Sequence, residues 1–307
     1  MPQHISRRRF LQAVSAFTAV ANLPLAQAKF AKTAITKPIP SSGEQLPVIG
    51  MGSSRTFDVG ESADERAPLQ QVLQAFFDHG GALIDSSPMY GAAESVIGDL
   101  LKRVTNIEKL FAATKVWTTG KQDGIDQMNT SAQRMGVKKF DLMQIHNLVD
   151  WQTHLETLKD WKAAGKVRYI GITTSHGRYH AELEQILAKH QFDFVQLSYN
   201  IGNRTVEQRL LPLAAERGTA TLVNRPYQRG SLFRQVKGKK LPEWAAEIDC
   251  ASWGQFFLKY AASHPAVTCV IPATSKVRHM IDNMGAGFGR LPDANTRKQM
   301  EQYFASL

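Results

Sequence analysis

Four side chains in this sequence have the types needed for acid–base chemistry: the carboxylate of Asp85, the phenol of Tyr90, the ammonium of Lys115 and the imidazole of His146. A phenol with a pKa of about 10 is a poor proton donor or acceptor near neutrality. An ammonium placed beside it favours the phenolate and lowers that pKa. A carboxylate paired with the ammonium keeps it charged and in place, and an imidazole near the phenol can hydrogen-bond a substrate and orient it. On this reading Tyr90 is a general acid, Lys115 its pKa depressor, Asp85 the partner of Lys115, and His146 an orienting group. Each residue alone has a plainer explanation: a surface lysine, a satisfied structural histidine, an aspartate and a tyrosine brought together by packing.

Position along the chain joins them. Ala82-Leu83-Ile84 is a short apolar run between Gly80-Gly81 and Ser86-Ser87-Pro88, the pattern of a buried strand. Asp85 stands at its end, and a tight loop then presents Tyr90. Lys115 ends the run Leu110-Phe111-Ala112-Ala113-Thr114, and His146 ends Phe140-Asp141-Leu142-Met143-Gln144-Ile145. Polar groups at successive strand ends fit an α/β barrel, in which the strand C-termini form the active face.

The elements that would position them alternate along the chain. Strands are expected at 48–53, 82–85, 110–115, 140–145, 167–173, 193–197, 219–223 and 267–271. Helices are expected at 68–79, 92–103, 124–135, 151–164, 179–189, 205–217, 251–263, 276–284 and 293–305. Eight strand–helix units make a (β/α)8 barrel, with a turn-rich stretch from Pro38 to Leu46 ahead of it and a closing C-terminal helix. About 26 residues separate the strand ending at Asn224 from the helix near Ala251, a length that usually signals function. This connection carries Arg225, Arg229, Arg234, Lys237, Lys239 and Lys240.

The chain has 307 residues, 43% hydrophobic and 21% charged, which suits one barrel of about 250 residues preceded by a leader. Residues 1–28 read as a targeting segment and 29–307 as the barrel domain. Ser6-Arg7-Arg8-Arg9-Phe10-Leu11 precedes a modestly apolar stretch, and Ala26-Gln27-Ala28 places small residues where a signal peptidase reads them. The twin arginine resembles a bacterial Tat signal, so the expectation is export to the periplasm by the Tat machinery with cleavage after Ala28. The apolar run is short of the roughly 20 residues a span requires. Loss of the three leader arginines lowers the formal net charge from +10 to +7. No nucleic-acid-binding motif accompanies that basic balance, and the two cysteines, Cys250 and Cys269, form no metal-ligand cluster.

Asp85, Tyr90, Lys115 and His146 match, in order and in strand context, the catalytic tetrad of the aldo-keto reductases. The Asp-x4-Tyr-Gly-x2-Glu spacing, Thr114-Lys115-Val116-Trp117 and Ile271-Pro272-Ala273-Thr274-Ser275-Lys276 resemble that family too. The resemblance covers residues 35 to 305 and implies a carbonyl reductase that takes hydride from a nicotinamide, with a small N-terminal hairpin over Pro38 to Leu46 plugging the barrel; Lys276 and the basic connection favour NADPH over NADH. No strand-embedded Gly-x-Gly-x-x-Gly is present, so a dinucleotide site of the Rossmann type is not expected. By resemblance Thr173, Thr174 and Gln196 hold the carboxamide, while Thr274, Lys276, His279 and Asn283 take the adenosine end. Ser53, Asn224, Arg225 and Arg229 complete the expected cofactor contacts; Phe57, Met89, Trp117 and Leu148 are expected around an aldehyde or ketone. The chain departs from the family pattern at Asn224, where many relatives have an aromatic residue, at His279 in place of an arginine, and at Thr173-Thr174 in place of Ser-Asn. Those departures leave a second reading open, an exported barrel that binds a nucleotide or ligand as an accessory subunit without turnover.

Overall fold

The computed structural model describes residues 33–307, so the leader expectations lie outside the described residues. An antiparallel hairpin comes first, β1 (Thr36–Pro38) pairing with β2 (Gln45–Pro47). Eight parallel strands follow: β3 (Met51–Gly52), β4 (Leu83–Asp85), β5 (Phe111–Val116), β6 (Phe140–Ile145), β7 (Val167–Thr173), β8 (Phe194–Ser198), β9 (Ala220–Asn224) and β10 (Cys269–Val270). They lie in simple sequence order, each paired with the next. The first and last close on one another through a parallel bridge between Ile49 and Val270, with Gly50 N donating to Val270 O at 2.9 Å. The expected (β/α)8 barrel is the observed one.

The inside of the barrel divides into two layers with different chemistry. On the hairpin side, Ile39 and Leu46 meet Leu83, Phe111, Ala113, Leu142, Tyr169, Phe194, Leu222 and Cys269 in one apolar cluster. The hairpin plugs that end and is pinned there by Tyr169, whose hydroxyl donates to Glu44 Oε2 at 2.6 Å and accepts from Ser42 Oγ at 2.8 Å, and by an ion pair between Arg168 and Glu44. Lys37 adds a second tie, donating to the carbonyls of Ala262, His264 and Val267 at 2.7, 2.8 and 2.7 Å. Toward the strand C-termini the inward positions turn polar, and the site lies there.

Several elements differ from expectation for identifiable reasons. The first strand is shorter than 48–53: Met51 and Gly52 pair with β4, and Ile49 joins β10 through a single bridge. The first helix starts at Ala63 rather than near Pro68. Ser62 caps it, its Oγ accepting from Glu65 N and donating to the Glu65 carboxylate, which holds a turn upstream of the proline. The expected helix at 205–217 is a 3-10 turn at Thr205–Glu207 followed by a helix at Leu210–Glu216.

The long connection after Asn224 is folded rather than open. It contains a turn at Gln228–Gly230, a helix at Ser231–Gln235 and a 3-10 segment at Glu243–Ile248. Leu232, Val236, Ala245 and Ile248 are buried beneath it. Trp253 Nε1 donates to Lys239 O at 2.9 Å, and Tyr303 OH donates to Lys240 O at 3.1 Å. Both cysteines are free and buried. No helix among the described residues is long and apolar enough to cross a membrane.

Candidate active site

Strand register builds the floor of the site. Lys115 on β5 lies beside Gln144 on β6, and β4 delivers Asp85 two residues back along the same side of β5. Lys115 is fully buried and Asp85 is 2% exposed, so neither charge could stand there alone. Lys115 Nζ donates to Asp85 Oδ2 at 2.6 Å and to Ser86 O at 2.6 Å. Asp85 Oδ1 accepts from the amides of Gln144 and Gln196 at 2.9 and 3.0 Å. Gln196 Nε2 also reaches Gln144 Oε1, and Gln196 Oε1 accepts from Asn224 Nδ2 at 3.2 Å. Asn224 Oδ1 in turn accepts from Ser198 Oγ at 2.6 Å. One connected polar layer thus runs from β4 to β9 with the ion pair at one end.

Tyr90 and His146 stand above this layer. The Lys115 ammonium is 5.1 Å from the centroid of the Tyr90 ring. The Tyr90 and His146 rings meet edge to face, with centroids 5.8 Å apart. Burial holds the Tyr90 phenol above its ordinary pKa; Lys115 pulls the other way and is outweighed. The phenol of the free protein is therefore protonated at neutral pH, which is the state a proton donor needs, although the expectation from residue types was a net lowering. Burial also presses the Lys115 ammonium toward neutrality, but Asp85 and then Tyr90 more than offset it, and its pKa is raised. Burial, with Lys115 adding to it, drives His146 down to about 3, so the imidazole is neutral in ordinary buffers.

These groups face a cavity of about 900 Å³ at the C-terminal mouth of the barrel. Asp85, Tyr90 and His146 line it, while Lys115 lies behind them. Of the residues expected to contact a cofactor, Ser53, Thr173, Gln196, Asn224, Arg225, Arg229, Thr274, His279 and Asn283 line the same cavity. Thr174 and Lys276 do not: Thr174 is buried with its Oγ donating to His176 O, and Lys276 points out to solvent. Met89 lines the cavity, whereas Phe57, Leu148 and Trp117 do not. Phe57 and Leu148 are packed in the core, and Trp117 is 41% exposed with its ring 6.4 Å from that of His146. Lys237 and Lys239 of the long connection also stand outside the lining, whereas Arg225, Pro226, Tyr227, Arg229, Gly230 and Phe233 of the same connection are part of it.

Several groups of the site escaped sequence reasoning. Gln144 is one, although a glutamine inside the run Leu-Met-Gln-Ile was a visible signal. Ser87, two residues past Asp85, is another; its Oγ is 3.0 Å from His146 Nδ1. Arg55 and Tyr227 also line the mouth. Arg55, Asn147, Leu148, Arg225, Gln228 and Arg229 all hold positive φ in loops leaving strand C-termini, a conformation that costs a non-glycine residue energy and gathers at functional sites. No cluster of metal-ligating residues occurs among the described residues.

A carboxylate–ammonium–phenol array beneath a cavity, with a neutral imidazole beside it, can protonate an oxygen as negative charge develops there. Comparison with known proteins narrows this chemistry. Residues 48–301 match the Aldo/keto reductase family. The methylglyoxal reductase YeaE of Escherichia coli is 29% identical over 255 residues, covering 80% of this chain and 88% of that protein. The aldo-keto reductase str7 of Strobilurus tenacellus is 28% identical over 300 residues, covering 84% of this chain and 87% of that one. Among solved structures, an aldo-keto reductase from Klebsiella pneumoniae in complex with NADPH superimposes with a TM-score of 0.73 at 20% identity, covering 90% of this chain and 96% of the other.

Proposed function

Because the chain belongs to the aldo/keto reductase family, we propose that it reduces an aldehyde or ketone to the alcohol with NADPH, Tyr90 giving the proton. The observation that carries this reading is the buried Lys115–Asp85 pair set under Tyr90 at the floor of the cavity. Such a pair is expensive to bury and needs a reason to be there. Here it places a fixed positive charge beside the Tyr90 phenol that lines the cavity, ready to stabilise the phenolate left when the proton departs. Gln144 and Gln196 hold the Asp85 carboxylate from the other side, so the ammonium cannot drift. His146 hydrogen-bonds the carbonyl oxygen and aligns it with the phenol.

The cavity fits a dinucleotide. The Nδ2 of Asn283 is buried against the lining without a hydrogen-bond partner, its Oδ1 being held by Tyr227 OH at 2.6 Å. Arg225 and Arg229 line the cavity with no carboxylate in ion-pair range among the described residues. Asn283 with Thr274 and His279 would take the adenosine end, the two arginines the phosphates, and Thr173 with Asn224 the nicotinamide end. When bound, the nicotinamide supplies the hydride. NADPH rather than NADH is the expected form, as in the NADPH complex of the Klebsiella pneumoniae reductase. For the leader, the proposal is Tat export, cleavage after Ala28 and a periplasmic site of action, on the strength of Arg7-Arg8 and Ala26-Gln27-Ala28.

Fluorescence titration with NADPH and NADH followed by a panel of aldehydes and ketones tests the reading. The expected result is saturable binding, tighter for NADPH, with turnover of at least one carbonyl. Binding without turnover of any carbonyl would make the protein an accessory barrel rather than a reductase.

A further inference from the structure

The reaction above leaves unused the hydroxyl of Ser87, which lies against His146. Ser87 is fully buried, and its Oγ lies 3.0 Å from Nδ1 of His146. The same oxygen accepts a hydrogen bond from Met89 N at 3.2 Å. A hydroxyl has one proton to give, and His146 Nδ1 is its one acceptor within reach among the described residues. If Nδ1 carried the ring proton, the Ser87 hydroxyl would become an acceptor twice over and its own buried proton would have no partner, the costly arrangement for a buried polar group. A neutral imidazole carries a single proton, and the bond made by one nitrogen decides which nitrogen holds it. His146 Nε2 has no protein partner among the described residues, and His146 lines the cavity.

We infer that Ser87 is a positioning residue: it donates to Nδ1, locks His146 as the Nε2–H tautomer, and so aims an N–H donor at the substrate oxygen. The inference deepens the reductase reading and rests on it for the identity of that oxygen. Without the lock, the other tautomer would present a lone pair to the carbonyl oxygen, an acceptor facing an acceptor. The titratable groups facing the ring are Lys115 from β5 and Tyr90 from the loop after β4; neither is a carboxylate that would draw a second proton onto it. Burial and Lys115 keep the ring neutral, so its tautomer is the property left for Ser87 to set.

The test is a nitrogen NMR spectrum of the full protein labelled with ¹⁵N-histidine, with His146→Gln used to assign the His146 signals. The expected spectrum has a protonated Nε2 and an unprotonated, hydrogen-bonded Nδ1, unchanged between about pH 6 and pH 9. Ser87→Ala is expected to shift the Nδ1 signal and lower kcat/KM for a carbonyl by about 3- to 10-fold, the worth of one hydrogen bond, while NADPH affinity stays the same. Ser87→Thr, which keeps the hydroxyl, is expected to restore the Nδ1 signal and most of the rate. A wild-type spectrum with the proton on Nδ1 overturns the inference, and so does a Ser87→Ala variant with both signal and rate unmoved. If the protein reduces no carbonyl yet shows the Nε2–H tautomer and its dependence on Ser87, the assignment to Ser87 stands and the reductase reading falls.

Discussion

Lys115→Met removes the buried ammonium and leaves its partner in place, which makes its cost calculable from the structure. Asp85 is 2% exposed and would keep its two amide donors, Gln144 and Gln196, but lose the 2.6 Å contact that neutralises it. Breaking a buried pair from one side costs about 3–5 kcal/mol because an uncompensated charge is left behind. Asp85→Asn breaks it from the other side and should cost a similar amount. The double variant removes both charges, so the two costs should not add: a coupling of about 3 kcal/mol is expected, well above the roughly 0.5 kcal/mol scatter of independent sites. The bond from Lys115 to Ser86 O is lost in the single and the double variant alike and cancels in the cycle. Urea unfolding of the four proteins, read as midpoint and slope, measures the coupling. Costs that add to within about 0.5 kcal/mol would refute the claim that Asp85 and Lys115 form one electrostatic unit.

Other expectations follow from particular groups. His146 has a folded pKa of about 3, below its unfolded value of about 6.5, so its neutral form stabilises the fold above pH 6.5 and that contribution shrinks as pH falls toward 3. His264, pushed down to about 4 chiefly by burial with Arg297 adding, acts in the same direction. Stability measured by urea unfolding should decline below pH 6.5 by up to about 1.4 kcal/mol per pH unit from His146, and His146→Gln should flatten that decline. Lys37→Met should cost about 1–3 kcal/mol by leaving three carbonyls without their shared donor, with little change in turnover, as thermal melting and a rate assay would report. Replacing Arg7 and Arg8 by lysine should keep the protein in the cytoplasm with its leader attached; cell fractionation showing normal export would refute the Tat proposal.

The barrel was legible because its strands are apolar runs that end on polar residues, a pattern that survives without any tertiary information. Asp85, Lys115 and His146 each stood at such an end. What their neighbours do was not legible, because it depends on register between strands: Gln144 matters through lying opposite Lys115, and Ser87 through the fold of a loop onto His146. Phe57 and Leu148 looked like pocket walls from their place beside strand ends, yet side chains of that kind are as readily drawn into the core, and both are buried there. The long connection was read from its charges. Its apolar residues, Leu232 and Val236 one turn apart, carried the information that it packs. The net direction of the Tyr90 shift was also beyond sequence, since it depends on how far burial outweighs a nearby cation.

The central claim is that hydride arrives from the nicotinamide and the proton from Tyr90. Reduction of an aldehyde with NADPH deuterated at the transferring position, run with the wild-type protein and with Tyr90→Phe, tests it most directly. The prediction is deuterium on the carbinol carbon of the product, with kcat/KM for Tyr90→Phe lower by about 100-fold or more, the usual worth of positioned acid catalysis, at unchanged NADPH affinity. An alcohol without deuterium, or a Tyr90→Phe variant turning over at the wild-type rate, would contradict it.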